Sequence, residues 1–328
     1  MNRILSLTSA VLLLSVLLCS CSDCKTSKTN TATGIYFDTL VKLSVYGDEV
    51  PASAFDICEK YEKLLSVSRP ESDVSRINNG EGKITVNEKT AGLLADALGF
   101  CAASDGEFDI TVYPVKKLWG FGKKNAAVPS DIALKNALKK VDYTKVLIDK
   151  NTVTVPKDTQ IDLGAIAKGF IADEIAKLYK EKKLSGIIDL GGNLLTVGEK
   201  PDNTDYRVGI KSPFNTEKNA AVLEFSGGSV VTSGSYERYF ESGGKRYHHI
   251  LSTKTGYPTE NELASVTVID NSSEKADALS TTLFLMGRDK GLSYVNSLDG
   301  TEAVFITTDG DILLSDRLTK KGDTISFK

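Results

Sequence analysis

Two oxygen-bearing side chains stand at helical spacing near the C-terminus, in residues 276–282 (ADALSTT). Asp277 and Thr281 are four residues apart, so on a helix both project from the same face. A carboxylate and a hydroxyl are hard oxygen ligands, which Mg²⁺ prefers together with water or phosphate oxygens. The spacing therefore predicts a magnesium site at Asp277 and Thr281. The alternative is an acid near the start of a helix beside a threonine that only packs.

A second candidate lies in residues 161–174 (IDLGAIAKGFIADE), where a strand, a glycine turn and a helix follow one another. The strand delivers Asp162. Backbone N–H groups at a helix start favour anions, and Lys168 in the first turn adds a positive charge. The pattern predicts a phosphate site; alternatively, Asp162 and Gly164 only cap the helix and Lys168 is solvated. The spacing matches neither the Rossmann glycine pattern nor the P-loop, so it supports neither of those nucleotide sites.

A third candidate is His249, in residues 246–258 (RYHHILSTKTGYP). An imidazole at the end of a strand suits a general base or a phosphate contact, although a hydrogen-bonded structural histidine is the alternative. In residues 230–240 (VVTSGSYERYF), another strand runs into a turn of small residues that includes Ser233 and Ser235. Small residues let the backbone approach a ligand closely.

The composition is that of an ordinary globular protein, with 41% hydrophobic and 25% charged residues. A formal net charge of -3 and the lack of a basic cluster argue against nucleic-acid binding. The sequence contains only two histidines, His248 and His249, which excludes a histidine-rich zinc site. Any bound metal is therefore expected to be hard and held by oxygen.

The N-terminus has the pattern of an export signal. One positive charge precedes an apolar run over residues 4–18, which is shorter than the roughly 20 residues that span a bilayer. The LCSC that follows resembles the bacterial lipobox, whose last cysteine, here Cys21, receives lipid. An ordinary cleaved signal with incidental cysteines is the alternative. We predict a lipoprotein signal peptide over residues 1–20, a flexible tether over 21–34 and one folded domain over 35–328.

Lipidation of Cys21 would anchor the domain without a membrane-spanning helix. The expected location is the inner or outer membrane of a bacterium, facing the periplasm or the cell exterior. Ser22 follows the cysteine, and by resemblance to other lipoproteins this favours the outer membrane. In the folded part, Cys58 and Cys101 either pair in an oxidising compartment or stay as buried thiols in predicted helices.

Hydrophobic periodicity predicts the elements that hold these candidates. Helices are expected over residues 52–66, 90–104, 131–140, 164–182, 275–286 and 289–297. Strands are expected over residues 40–47, 83–86, 145–149, 152–155, 206–211, 221–225, 229–233, 246–251, 264–269, 303–307 and 311–314. Hairpins mixed with isolated helices indicate an α+β fold rather than a regularly alternating parallel sheet.

Several of these segments together resemble the ApbE family in order and approximate spacing. They read DLGAIAKGFIAD, GIIDLGGN, TSGSYERYF, HHIL…TGYP and ADALST, with EFDITVYPVKKLWGFG and SDVSRIN further upstream. The resemblance covers the chain from about residue 35 to residue 328. Members of the family are FAD:protein FMN transferases, and some relatives hydrolyse or bind FAD. The resemblance implies a two-lobed α+β domain related to the T-fold, with mixed or antiparallel sheets and packed helices.

The resemblance also implies roles for individual residues. Mg²⁺ would be held by the Ala165 carbonyl and by the side chains of Asp277 and Thr281. Asp277 and His249 would be catalytic. The positions implied to contact FAD are Phe37, Ser68, Asp109, Asp162, Lys168 and Leu251.

The implied reaction transfers FMN from FAD to a Thr or Ser hydroxyl of an exported or membrane redox protein, and AMP leaves. Two alternatives are an FAD pyrophosphatase, in which water is the acceptor, and a non-catalytic flavin-binding lipoprotein. The chain departs from the family where Ser252 and Thr253 replace an Asp-Pro pair after the histidines. Ser68 also stands where relatives often carry an aromatic residue, which implies a more open flavin pocket.

Overall fold

The computed structural model describes residues 28–80 and 82–328. The predicted signal peptide and Cys21 lie outside the described residues. No helix within the described ranges has the length and apolar character needed to cross a bilayer.

The described chain forms eight α-helices and seventeen β-strands. The helices are α1 (Ala52–Leu65), α2 (Asp73–Asn79), α3 (Glu88–Ala103), α4 (Tyr113–Trp119), α5 (Asp131–Leu138), α6 (Ala167–Glu181), α7 (Ser273–Met286) and α8 (Arg288–Asn296). The strands are β1 (Thr29–Tyr36), β2 (Thr39–Tyr46), β3 (Gly82–Thr85), β4 (Leu147–Asp149), β5 (Thr152–Val155), β6 (Gly186–Leu190), β7 (Asn193–Val197), β8 (Tyr206–Lys211), β9 (Asn219–Phe225), β10 (Ser229–Gly234), β11 (Tyr239–Ser242), β12 (Lys245–His248), β13 (Leu263–Asp270), β14 (Glu302–Thr307), β15 (Ile312–Leu314), β16 (Leu318–Lys321) and β17 (Thr324–Phe327).

An antiparallel sheet of eight strands forms the centre of the fold, in the order β1-β2-β6-β7-β10-β13-β14-β15. Helices α6 and α7 pack on one face, where Val231 and Val268 point toward α7. The other face carries Val230 and Ile269, which pack against the four-stranded sheet β16-β17-β9-β8. Side chains alternate between the faces of a strand, so covering both faces buries every residue of β13. These layers confirm the predicted α+β fold.

The first lobe is built from α1 to α5 and the small sheet β3-β5-β4. It joins the second lobe mainly through a large apolar core in which α1 and α3 pack with α6 and β2. A smaller apolar cluster surrounds the fully buried Trp119 and includes Val115, Leu134 and Leu251. The indole Nε1 donates a hydrogen bond to the Gly256 carbonyl at 2.8 Å. This anchor fixes α4 against the loop that follows the histidines, and so joins candidate residues from distant parts of the chain.

The predicted tether over residues 21–34 is wrong in its last part, because β1 begins at Thr29. This strand pairs with β2 over all eight of its residues. Its residues are only half-buried or exposed, so main-chain hydrogen bonds form it without a strong apolar period. The long helix begins at Ala167 rather than 164, since Asp162 and Gly164 form a turn.

Cys58 and Cys101 are both buried and free, so they do not pair. Strand β12 ends at His248, three residues before the predicted strand end at 251. His249 and Leu251 therefore lie in the segment after the strand, where the chain turns toward the first lobe.

Candidate active site

A single cavity of about 1210 Å³ gathers residues from both lobes. All ten residues predicted to act in the folded domain line it: Phe37, Ser68, Asp109, Asp162, Ala165, Lys168, His249, Leu251, Asp277 and Thr281. The volume exceeds the ~300–1,000 Å³ that is usual for a small-molecule site. The cavity therefore has room for a dinucleotide and for part of a second reactant.

The crossing of α6 and α7 positions Asp277. A side chain at Gly169 would collide with the Ser273 carbonyl, so only glycine lets the two helices come this close. Asp277 Oδ2 accepts a hydrogen bond from the Gly169 amide at 2.9 Å, which satisfies a donor at the start of α6. Reciprocally, Asp173 on α6 accepts from the amides of Ser273 and Glu274, both at 3.0 Å. Each helix thus caps the other, and Asp277 is held at the α6 N-terminus.

The oxygen atoms around Asp277 suit a hard cation. Asp277 is 4% exposed, and its Oδ1 lies 4.0 Å from Lys168 Nζ. The Ala165 carbonyl precedes α6 and lines the cavity, and among the described residues no backbone hydrogen bond of the turns and caps ends on it. Thr281 Oγ1 lies on the same helix face, 3.0 Å from Ser233 Oγ. The predicted i, i+4 arrangement of Asp277 and Thr281 is confirmed.

Across the described residues, no group of three or more His, Cys, Asp or Glu side chains converges on a metal position. The candidate donors that line the cavity here are the carboxylate of Asp277, the hydroxyl of Thr281 and the carbonyl of Ala165. Mg²⁺ commonly uses one or two carboxylates and completes its octahedron with water and substrate phosphates. The residues present therefore fit Mg²⁺ bound together with a phosphate-bearing substrate.

Asp162 is paired with a lysine that the sequence analysis did not single out. Its Oδ2 accepts from Lys116 Nζ at 2.8 Å, and its Oδ1 accepts from the Gly164 amide at 2.7 Å. Burial alone would raise the pKa of Asp162. The charge and hydrogen bond of Lys116, together with the Gly164 amide and the charge of Arg238, outweigh it and leave the pKa below its ordinary value. Asp162 is therefore ionised, and it caps the turn while it holds Lys116 at the cavity wall.

His249 has a defined tautomer. Its Nδ1 lies 3.3 Å from the Arg238 carbonyl, which can only accept, so Nδ1 carries the proton and Nε2 keeps a lone pair. Burial and the positive charges of Lys116 and Arg238 lower the pKa of His249 to about 3, so the ring is neutral. The neighbouring His248 instead contacts the Thr259 carbonyl through Nε2 and serves the structure.

Glu237 is a cavity residue that sequence reasoning missed. It is accessible to solvent at the cavity wall, yet the protein around it raises its pKa to about 7. The main cause is the loss of hydration within the cavity, which disfavours the charged carboxylate, and the negative charge of Asp277 also raises the pKa. The positive charges of Lys168, Arg238 and Lys211 lower it. The only available signal was its place in TSGSYERYF, where a strand enters a turn of small residues.

Asn193 is a second missed residue, and it carries an unsatisfied donor. It is 1% exposed, lines the cavity and directly follows the turn at Gly191 and Gly192. Its Oδ1 accepts from Ser273 Oγ at 2.7 Å, whereas its Nδ2 has no hydrogen-bond partner among the described residues. A buried amide nitrogen without an acceptor is costly, so a ligand oxygen in the cavity would relieve it.

Asp109 links two segments of the first lobe by hydrogen bonds. Its Oδ1 accepts from the Thr111 amide and hydroxyl, at 2.7 and 2.6 Å, and its Oδ2 accepts from the Tyr143 amide at 3.1 Å. Burial raises the pKa of Asp109, although these hydrogen bonds oppose the shift. Its carboxylate is thus engaged within the protein at the edge of the cavity.

The remaining predicted residues form the walls of the first lobe. Phe37 stands in a two-residue turn between β1 and β2, at a φ of 55°, and its amide donates to Glu62 Oε1 at 2.9 Å. Leu251 is buried against Trp119. The exposed Ser68 lies at the cavity wall, and its hydroxyl is 3.0 Å from Ser66 Oγ.

Comparison with known proteins identifies relatives of this chain. The sequence profile of the ApbE family matches residues 37–305. A Klebsiella pneumoniae (strain 342) protein named FAD:protein FMN transferase is 37% identical over 283 residues, covering 84% of this chain and 88% of the relative. A Treponema pallidum protein of the same name is 36% identical over 298 residues, covering 83% and 82%.

Solved structures show the same fold. The ApbE protein of Thermotoga maritima superposes with a TM-score of 0.82 at 31% identity, covering 88% of this chain and 97% of that one. The flavinyl transferase ApbE of Pseudomonas stutzeri, in its apo form, gives a TM-score of 0.78 at 31% identity, covering 88% and 95%.

Proposed function

The chain belongs to the ApbE family, and we propose that it transfers FMN from FAD to a Thr or Ser hydroxyl of another protein in a Mg²⁺-dependent reaction that releases AMP. One observation carries the proposal. The Ala165 carbonyl, Lys168 and Asp277 meet at the α6 N-terminus inside a cavity large enough for FAD. A helix N-terminus beside a lysine is a favourable place for a pyrophosphate.

The reaction replaces the phosphoanhydride bond of FAD with a phosphoester bond to the acceptor. The acceptor hydroxyl oxygen bonds to the FMN phosphorus, the bond from that phosphorus to the bridging oxygen breaks, and AMP departs with the electron pair. Lys168 and Arg238 line the cavity and oppose the negative charge that grows on the leaving phosphate. The hydroxyl proton passes to Nε2 of His249, the ring nitrogen that carries the lone pair.

The Ala165 carbonyl and the side chains of Asp277 and Thr281 would hold Mg²⁺. When bound, the ion supplies Lewis-acid neutralisation of the pyrophosphate charge. Asp277 has one oxygen for this role because the other is committed to the Gly169 amide. The helix crossing therefore sets the orientation of the carboxylate.

The low pKa of His249 is suited to a base that acts only with substrate present. In the free protein, burial together with Lys116 and Arg238 keeps the ring neutral. The negative charges of FAD would offset those two cations and raise the basicity of Nε2 toward the range useful for proton transfer. The base thus becomes effective when the phosphates are in place.

An assay of AMP release tests the proposal. Purified protein is incubated with FAD and MgCl₂, with and without a library of octapeptides that each contain one Thr or Ser. Transfer predicts AMP release together with fluorescent peptides whose mass increases by FMN. If FAD binds but AMP forms neither with nor without peptide, the protein is a flavin-binding protein and the transferase proposal fails.

FAD hydrolysis to FMN and AMP is the second candidate function. It is favoured by Ser68, whose short exposed side chain leaves the pocket open to water. The same cavity serves both reactions, and the nucleophile that reaches the phosphorus decides between them. AMP release at the same rate with and without peptides, and no peptide modification, supports hydrolysis.

Anchoring through Cys21 remains part of the proposal. Eight peptide units separate Cys21 from Thr29, the first residue of β1. At roughly 3.3–3.6 Å per residue, they hold the start of the sheet within roughly 30 Å of the lipid anchor. We expect the acceptors to be redox proteins of the membrane or periplasm. Retention of a Cys21→Ser variant in the membrane fraction would contradict the anchor.

A further inference from the structure

One wall of the active-site cavity is the edge of a sheet. All six residues of β8 line the cavity: Tyr206, Arg207, Val208, Gly209, Ile210 and Lys211. Side chains alternate between the two faces of a strand, so a strand that presents a face would contribute only every second residue. Six consecutive residues indicate that the backbone edge of β8 faces the cavity.

The sheet order agrees, because β8 ends the order β16-β17-β9-β8 and, within the part of the chain that the structure describes, pairs only with β9. The register shows which backbone groups point outward. The Val222 amide on β9 donates to the Asp323 carbonyl at 2.8 Å, so Val222 faces β17 and not β8. Its partner Gly209 is then in a non-hydrogen-bonded pair, and its N–H and C=O point away from β9. By alternation, the same holds for Arg207.

The C-terminal end of this edge approaches the reactive groups. The charge of Lys211, the last residue of β8, acts on Glu237, as do the charges of Lys168 and Asp277. The residues predicted to contact FAD all lie outside β8, from Phe37 in the first turn to Leu251 after the histidines. An unpaired strand edge thus runs through the cavity toward the phosphate site, and FAD does not account for it.

We propose that the outer edge of β8 binds the acceptor polypeptide, whose segment around the modified hydroxyl adds as an extended strand. This inference rests on the proposed transferase function, which requires a polypeptide in this cavity. Strand addition satisfies the free N–H and C=O groups of Arg207 and Gly209 by main-chain hydrogen bonds. Main-chain recognition also explains how a short segment enters with its Thr or Ser directed to the phosphorus.

A proline at position 207 tests the edge with a matched control. The Arg207 amide points outward, and proline is tolerated at such edge positions because it removes no bond of the ladder. Arg207→Pro and Arg207→Ala both lose the ion pair with Glu224, and only the proline variant loses the outward N–H. The two variants are compared in the peptide assay above, and FAD affinity and thermal unfolding are measured in parallel.

We expect kcat/KM for peptide flavinylation to be at least about tenfold lower in Arg207→Pro than in Arg207→Ala, with FAD affinity and melting temperature equal. Equal flavinylation by the two variants would overturn the proposal that the acceptor pairs with the outer edge of β8, and the proposed transferase function would be unaffected. If the wild-type protein releases AMP but modifies no peptide, the proposed transferase function is wrong, and so is the proposal that an acceptor binds at the edge of β8.

N-methylated peptides provide the complementary measurement. A modified octapeptide is resynthesised with one backbone N-methyl group at each position in turn. Strand pairing predicts that methylation lowers flavinylation of the peptide at every second residue, because only alternate amides face β8. A uniform response along the peptide would contradict an extended strand on this edge.

Discussion

Replacing Asp277 with asparagine separates the charge of this side chain from its shape. The amide keeps an oxygen for the Gly169 N–H, which is 2.9 Å from Oδ2, so the crossing of α6 and α7 should persist. The other oxygen, 4.0 Å from Lys168 Nζ, becomes a neutral nitrogen. The variant therefore loses the negative charge and the free ligand oxygen that the proposed magnesium site needs.

The expected effect is large on the rate and small on stability. Loss of one group that stabilises transition-state charge typically lowers kcat by about 10²–10³, or ~2.7–4 kcal/mol. We expect AMP release by Asp277→Asn to fall at least about 100-fold at saturating FAD and Mg²⁺. Asp277→Ala also leaves the Gly169 amide without its hydrogen-bond acceptor. Since a hydrogen bond to a charged group contributes about 1.5–3 kcal/mol, the alanine variant should be less stable than the asparagine variant by roughly that amount.

The assay measures AMP by chromatography over a titration of MgCl₂, together with urea unfolding of each variant. Asp270→Asn is the matched control. Asp270 is also a buried carboxylate, at the end of β13 just before α7, where it accepts from the Ser272 amide at 2.9 Å, but it does not line the cavity. This control should lose stability and keep its rate within about threefold. An Asp277→Asn rate within about threefold of wild type would refute the charge-based reasoning.

Gly169→Ala should lower the free energy of unfolding by about 1–3 kcal/mol and slow AMP release, because its Cβ would collide with the backbone of α7; Gly92→Ala, in an open position of α3, should be neutral or stabilising by urea unfolding. His249→Asn keeps a hydrogen-bond donor for the Arg238 carbonyl but loses Nε2, the proposed proton acceptor. Peptide flavinylation should therefore fall at least about 100-fold, and fluorescence titration should show an unchanged FAD Kd. Glu237 has a pKa raised to about 7, so it is neutral below that pH and negatively charged above it. Because a negative charge repels the FAD phosphates, FAD affinity measured without divalent metal should fall as the pH rises through about 7. Glu237→Gln should remove this dependence.

Local patterns were sufficient for most elements and for part of the site. The six residues predicted for β8 are the observed ones, and α7 begins two residues before its predicted start. Asp277 and Thr281 share a face because helical geometry over four residues follows from the chain itself. The edge strand β1 was missed for the corresponding reason: it has no strong apolar period, and its partner supplies the hydrogen bonds that form it.

Periodicity and spacing along the chain were enough to predict the α+β class, the residue types of the candidate site and the oxygen-bearing face of α7. The remaining features require the folded chain, because the groups that control the chemistry lie far apart in the sequence. Lys116 and Asp162 are 46 residues apart, and the Gly169 amide reaches a carboxylate 108 residues away. The neutral state of His249 depends on burial and on two cations brought in by folding. Whether β8 has a free edge, likewise, depends on which strands pair with it, and no pattern within β8 encodes that choice.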